Sequence, residues 1–481
     1  MSSNITVKKA TIIYGAAKYS TIIVQLVVTA ILSRLLTPND YGVVAVVTVF
    51  TTLFTTLSNL GLGTAVTQYK ELSENEIQDI FTFSEYFSFI LSLVFVLLAF
   101  PIAWFYSDDV YVPIVILLSL SVLFNALNMI PNALLLREKA FLKVGIRMIV
   151  STIVSGVIAI VLAYLGAKYY AIVIQSIVCA LITFIWNFKT TFLRLKFRFN
   201  YNSVKKVQSY SGNQFAYNIC NYFAQNLDNL ITGKLMGNEM LAYYNKAYTL
   251  MRYPVGNIAH VITPVLHPIL SEYQNNKSYV YNEFVKIVKC MSLIGVFITC
   301  FCFWSSEEIV ICYFGSQWYG AVTSFKWLSL CVGCQLVCAL FGSIYQSIGC
   351  TKEMFHSGIV HISISVIAII MGCLTKDINV LSLFVSFSMI IKFFIEAYFL
   401  IKKSFKYSLV DFYKLFLPEL LMIVILLIVF GLIGNLSNIT IWYRLFIKLV
   451  IGIVSYLILL VVFKQLTYLM PILPKKWRRN R

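Results

Sequence analysis

The chain has 481 residues, of which 59% are hydrophobic and only 12% charged, with a formal net charge of +18 and a mean hydropathy of +0.82. Soluble domains carry about 45–50% apolar and about 25% charged residues, so the composition excludes a string of soluble domains and places most of the chain in a bilayer. The apolar share is about 284 residues, which at about 20 per spanning helix sets a ceiling of roughly fourteen helices.

Apolar segments separated by short polar punctuation fall at about 11–36, 40–67, 80–106, 110–136, 144–166 and 168–190. A basic break follows, then a second set at about 207–235, 239–271, 284–305, 318–348, 354–375 and 378–401. After another basic break, two more occupy about 413–434 and 440–469. The expected fold is an all-α integral membrane protein of fourteen transmembrane helices. It divides into an N-terminal lobe at 1–195, a C-terminal lobe at 196–406, and the last two helices with a basic tail at 407–481. No polar stretch between segments exceeds about 18 residues, too short to bury a core of its own. An attached ATPase, glycosyltransferase or nucleic-acid domain is therefore not expected. The first apolar run is a full span without a small-residue cleavage site, so no removable signal peptide is expected.

The distribution of Lys and Arg tests this count, because cytoplasmic loops carry the excess of basic residues. With an internal N-terminus, the internal segments hold about 26 of the 38 basic residues, including the clusters Lys189 to Lys206, Lys402 to Lys414 and Lys464 to Arg481. External turns hold few, among them Arg34, Lys168, Lys234, Lys376 and Arg444, beside acids such as Asp108, Asp109, Glu307 and Glu308. Both termini are expected in the cytoplasm. The loop 68–79 fits least well, with Glu71, Glu74, Glu76 and Asp79 against a single Lys70. The positive charge thus speaks to topology and anionic lipid headgroups, with no nucleic-acid partner expected.

Chemistry-bearing motifs are missing. There is no P-loop, HExxH, GxSxG or dinucleotide fingerprint. The cysteines lie in apolar runs as small hydrophobes, and the Cys331–Cys334 CxxC has neither a second pair nor an adjacent His. His260 and His267 share one segment without a third ligand. No cofactor and no enzymatic activity are expected, and any driving energy would come from an ion gradient, the membrane potential or consumption of the product. Short external turns likewise leave no room for the catalytic loops of a membrane glycosyltransferase or polymerase.

An internal similarity appears at an offset of about 200 residues. Ser33-Arg34-Leu35-Leu36 followed by Asp40-Tyr41-Gly42 matches Gly233-Lys234-Leu235-Met236 followed by Glu239 and Tyr243-Tyr244. Each is a basic residue, two apolar residues, a turn with an acid and an aromatic. Two sets of six helices that start on the same side are parallel repeats, the plan of many secondary transporters with a path between the halves. A generic outer helical hairpin would read the same way.

Polar residues inside apolar segments are expensive and mark candidate sites. In the seventh segment Gln214, Asn218, Asn221, Gln225 and Asp228 recur at spacings of four, three, four and three, forming one helical face. Carboxamides both donate and accept, as hydroxyl-rich sugars require, although interhelical hydrogen bonding uses amides too. Lys18, Gln25 and Thr29 share a face of the first segment, where Lys18 either faces the cavity or snorkels to the headgroups. Arg252 lies about 20 Å into the eighth segment, where a guanidinium should face protein or water. Its partner would be an anionic ligand group, with a fork suited to phosphate, or Asp228. Lys392 and Glu396 form an i, i+4 pair expected to neutralise itself.

The run Leu32-Ser33-Arg34-Leu35-Leu36-Thr37-Pro38-Asn39-Asp40-Tyr41-Gly42, followed by Leu60-Gly61-Leu62-Gly63, resembles the opening hairpin of the polysaccharide transporter family. So does the stretch from Asn226-Leu227-Asp228-Asn229 through Gly233-Lys234 and Tyr243-Tyr244 to Pro254 and Pro264. That family, which includes O-antigen, colanic acid and teichuronic acid flippases, belongs to the multidrug/oligosaccharidyl-lipid/polysaccharide exporter superfamily. The resemblance implies alternating-access translocation of an undecaprenyl-diphosphate-linked oligosaccharide from the inner to the outer leaflet of a bacterial cell membrane. Lys18 and Arg252 would meet the diphosphate, and Gln25, Gln214, Asn218, Asn221 and Gln225 the sugars, with Asp228 balancing Arg252. Partners would be the lipid-linked oligosaccharide, membrane lipids, and the polymerase and glycosyltransferases of the same process. A multidrug or cation antiporter of the same fold, a membrane glycosyltransferase and a non-transporting scaffold are the alternatives.

Overall fold

Backbone N–H and C=O groups in hydrocarbon must be satisfied within the segment, and the apolar runs achieve this as helices. The computed structural model describes residues 7–58, 62–69, 71–433 and 439–469, among which there are helices and no strands. The first six long helices are α1 (Val7–Leu35), α2 (Pro38–Ser58), α3 (Glu74–Tyr106), α4 (Tyr111–Arg137), α5 (Phe141–Tyr164) and α6 (Tyr170–Thr190). Then come α7 (Tyr201–Met236), α8 (Asn238–Ser271), α9 (Lys277–Trp304), and α10, which is Ser316–Ser329 and Val332–Ser347 with a 57° bend between them. The last are α11 (Thr351–Leu374), α12 (Ile378–Phe405), α13 (Leu409–Leu432) and α14 (Ile441–Val462). Where fourteen spans are expected from the sequence, eleven described helices are long and apolar enough to cross a membrane, or twelve with the bent pair as one. The two expected segments outside that count are α7 and α8, with 36 and 34 residues. The protein is a multi-pass, all-helical membrane protein. Most of the basic tail, from Lys475 to Arg481, lies outside the described residues.

The chain forms two compact units, Met1–Ala242 and Tyr243–Arg481. This division falls later than the sequence break near residue 195, because α7 is tied to the helices before it by polar contacts along its length. Ser203 donates to Asp79 at 2.8 Å, Lys206 pairs with Glu76, and the Tyr222 hydroxyl donates to the Val49 carbonyl. Further along, Tyr106 donates to the Leu230 carbonyl at 3.3 Å and Lys234 to that of Phe105. These contacts also engage Glu76 and Asp79, two of the four acids in the segment that fits the charge rule least well. Glu76 closes a capping box with Ser73 at the start of α3 as well as pairing with Lys206.

Lipid tails are as apolar as leucine, so helices in a bilayer associate through close packing and hydrogen bonds more than through water exclusion. In unit 1, α1 lies on α5 through Val28, Leu32, Ala159 and Ala163, and α2, α3 and α4 enclose Val47, Phe54, Phe95, Tyr111 and Val122. Gly42 opens α2 against backbone, since a Cβ there would stand 1.9 Å from the Asn238 carbonyl oxygen. In unit 2, α9 crosses α10 at Gly295 and Gly333, where an added Cβ on Gly295 would lie 2.7 Å from the Gly333 Cα. Phe284, Phe341, Phe405 and Phe412 are buried together at the other end of α9.

The C-terminal helices are pinned to unit 2 by buried charge. Lys289 of α9 meets Glu419 of α13 at 2.6 Å, with both side chains under 5% exposed. Arg444 and Lys448 of α14 meet Glu308 at 2.9 and 2.7 Å, and Arg444 also reaches Glu307 at 3.2 Å. Arg444 is thus a cation in an expected external turn because two acids neutralise it there. The i, i+4 pair Lys392–Glu396 is present at 3.7 Å.

Candidate functional site

Within unit 1, five helices face a polar cavity of about 500 Å³. α1 supplies Gln25 and Thr29, and α2 supplies Thr48, Thr51, Thr52 and Thr55. α4 adds Ser121 and Asn125, α5 Thr152 and Ser155, and α6 Gln175, Ser176, Cys179 and Thr183. Each set recurs at three or four residues, which is why each helix brings several polar groups to one wall. A second cavity of about 420 Å³ shares Thr55 and Asn125 with the first and continues along Ser58, Thr67, Asn128 and Asn132. Asn125, Asn128 and Asn132 form an i, i+3, i+7 row on α4. This row is held from outside: Asn187 donates to Asn128 at 2.8 Å, and the buried Arg147 donates to Asn132 at 2.9 Å. Among the described residues, none lining either cavity is an acid, a lysine or an arginine.

Of the residues singled out in the sequence, Gln25 lines this cavity, together with Thr29 of the same face. Lys18 is half-buried on α1 and is not among the lining residues. Asp228 is buried on α7, where one carboxylate oxygen accepts the Asn229 N–H at 2.8 Å. Gln214, Asn218, Asn221 and Gln225 belong to α7, and their side chains lie outside the described residues. Arg252 is an exposed residue of unit 2, its guanidinium 5.8 Å from the centre of the Tyr248 ring. The threonines of α2 were missed, although Thr48, Thr51, Thr52 and Thr55 in the run Thr48-Val49-Phe50-Thr51-Thr52-Leu53-Phe54-Thr55 carry a helical period as clear as that of the α7 amides. Unit 2 has a cavity of another character, about 330 Å³ and walled largely by apolar residues such as Val296, Val337, Phe393, Phe416 and Ile423. Among the described residues no group of three or more His, Cys, Asp or Glu is placed to hold a metal.

The structure thus defines a multi-pass, all-helical membrane protein whose first unit holds a cavity lined by hydroxyls and amides. The solved structures agree on the fold. The chain is similar to the lipid II flippase MurJ in an inward closed conformation (TM-score 0.74, 16% identity, 95% of this chain and 100% of that one). It is also similar to an inward-facing multidrug resistance MATE family transporter (TM-score 0.61, 13% identity, 78% and 92%). The model of the polysaccharide biosynthesis protein family matches residues 31–323, and the chain belongs to that family. Curated relatives include the teichuronic acid biosynthesis protein TuaB of Bacillus subtilis (22% identical, 64% of this chain and 66% of the relative). The lipopolysaccharide biosynthesis protein WzxC of Escherichia coli is 23% identical over 61% of this chain and 60% of its own length. The succinoglycan biosynthesis transport protein ExoT of Rhizobium meliloti is 20% identical over 70% and 69%. The chain thus spans just under two thirds of the length of TuaB and WzxC.

Proposed function

We propose that the protein is a flippase that carries an undecaprenyl-diphosphate-linked oligosaccharide, the repeat unit of a surface polysaccharide, from the inner to the outer leaflet of a bacterial cell membrane. It works by alternating access and catalyses no chemical step. Fourteen spanning helices, with both termini cytoplasmic, complete the proposal. The carrying observation is the uncharged cavity of unit 1, where hydroxyls and amides from five helices converge inside a membrane-embedded bundle. Polar side chains at that depth are costly unless they face water or a polar ligand. A cavity of about 500 Å³ lies within the range of about 300–1,000 Å³ usual for small-molecule sites. A cation antiporter would be expected to keep a carboxylate in its cavity, and the described residues of this lining include none. Membership of the polysaccharide biosynthesis family and the names of the relatives support the same reading.

The sugars meet Gln25 and the α7 amides, and the diphosphate meets Arg252 and Lys18. Glycosyltransferases supply the lipid-linked substrate and a polymerase consumes it. The test is the sidedness of lipid-linked intermediates in a deletion strain, read by lipid extraction and an external glycosidase on intact cells. Complete repeat units trapped on the inner leaflet are expected. Truncated units, or unchanged lipids with altered drug tolerance, would overturn the proposal. The double variant Arg252→Ala, Asn221→Leu should abolish export at normal membrane abundance, and wild-type export from it would refute the residue assignment.

A further inference from the structure

The direction of the hydrogen bonds around the unit 1 cavity says more than its polarity. In a helix without access to water, a threonine or serine hydroxyl donates its proton back to the carbonyl one turn earlier. Here Thr48 donates to Val44 at 2.7 Å, Thr51 to Val47 at 2.9 Å and Thr55 to Thr51 at 2.8 Å. Thr152 donates to Met148 at 2.8 Å, and the Asn125 amide nitrogen to the Ser121 carbonyl at 2.9 Å. With those protons committed, these groups present lone pairs to the cavity. The faces of α2, α4 and α5 are thus an acceptor surface, the carboxamides of Gln25 and Gln175 supply N–H donors on the other helices, and among the described residues no cation lines the cavity.

We infer that this cavity is a sugar site selective for uncharged units, neutral hexoses or N-acetylhexosamines, against uronic acids and other acidic sugars. A neutral sugar brings several O–H donors to a wall of acceptors. A carboxylate brings only acceptors, so against the faces of α2, α4 and α5 it meets lone pair against lone pair, and among the described lining residues no cation offsets its lost hydration. A site built to accept donors rejects a ligand lacking them far more strongly than it rejects a change of size. The inference rests on the flippase reading for its biological meaning, but sugar binding can be tested apart from transport.

Cys179 lines the same cavity and provides the readout. The wild-type protein in lipid nanodiscs is treated with N-ethylmaleimide, and alkylation at Cys179 is followed by peptide mass spectrometry. Maltotriose and trigalacturonic acid are the probes at matched millimolar concentration. Protection follows 1 + [L]/Kd, so maltotriose at twice its Kd should slow alkylation about threefold while trigalacturonate leaves it unchanged. Asn125→Leu should lose the maltotriose effect, and Gly256→Ala, in unit 2 with nothing within 4 Å of the added Cβ, should keep it. Equal protection by the two probes, stronger protection by the acidic one, protection by neither, or a Cys179 closed to the reagent would each overturn the inference. A parallel proteoliposome assay follows translocation of an undecaprenyl-diphosphate-linked neutral disaccharide and its uronate counterpart. If maltotriose protects but neither lipid crosses, the flippase reading fails and the sugar site stands. If both lipids cross at equal rates, the selectivity fails and the flippase reading stands.

Discussion

Replacing Glu419 with Ala should destabilise the protein far more than removing its whole ion pair. The Lys289 ammonium donates to Glu419 at 2.6 Å and to the Leu415 carbonyl, and the Ser292 hydroxyl donates to the other Glu419 oxygen at 2.8 Å. Both charged side chains are buried, at 4% and 3% exposure. Glu419→Ala leaves the ammonium buried without a counter-charge, which costs about 3–5 kcal/mol in comparable sites. At about 2–4 °C per kcal/mol for a unit of this size, the apparent melting temperature should fall by roughly 6–20 °C. The double variant Lys289→Met, Glu419→Leu removes both charges and keeps the volume, and such exchanges are often near neutral. The assay is fluorescence-detected size-exclusion chromatography after heating in detergent, with both single variants and the double forming a cycle. A Glu419→Ala loss below about 1 kcal/mol, or a double variant as unstable as Glu419→Ala, would refute the claim that this pair anchors α13 on α9.

Three further outcomes follow from single positions. Gly42→Ala places a Cβ 1.9 Å from the Asn238 carbonyl oxygen and should sharply reduce folded protein in the membrane fraction. Gly256→Ala meets nothing within 4 Å and should be neutral or stabilising by up to about 1 kcal/mol in the same expression assay. Ser73→Ala removes the cap of α3 and the reciprocal bond with Glu76, costing about 1 kcal/mol, measurable as increased proteolysis of the preceding loop. Lys392→Ala combined with Glu396→Ala should keep export near wild type, whereas either single change should lower it, because each leaves the other charge of the 3.7 Å pair uncompensated. Export is read as surface polysaccharide per unit of membrane protein.

Helix positions were legible because hydrophobic runs of about 20 residues have one outcome in a bilayer. The site was legible only in part. Amides stand out in an apolar run, which drew attention to α7, whereas threonine hides there. Its methyl group and its bond to the carbonyl of the preceding turn let it pass as an apolar residue, so the row Thr48, Thr51, Thr55 on α2 is seen only once Gln25 and Asn125 are found across the cavity from it. Charge counting failed at individual residues for a related reason. It sums charges over a loop, while Arg444 answers to Glu307 and Glu308, and Glu76 answers to Lys206 from a segment more than a hundred residues away.

The place of α7 has a consequence for how recognition is distributed. Its contacts with Val49, Glu76, Asp79 and Phe105 make it part of unit 1, the unit that also holds the uncharged cavity. Both sets of groups suited to sugar hydroxyls, the amide-bearing helix and the threonine-lined wall, therefore belong to one compact unit. Arg252, proposed to meet the diphosphate, belongs to the other. On the proposed function, substitutions in unit 1 should change which sugars are accepted, and substitutions at Arg252 should weaken transport of every lipid-linked substrate alike. Two variants and two substrates separate these effects: Asn125→Leu should alter the ratio of neutral to acidic substrate translocated, and Arg252→Ala should lower both rates at an unchanged ratio. A shift in that ratio for Arg252→Ala would refute the division of labour between the units.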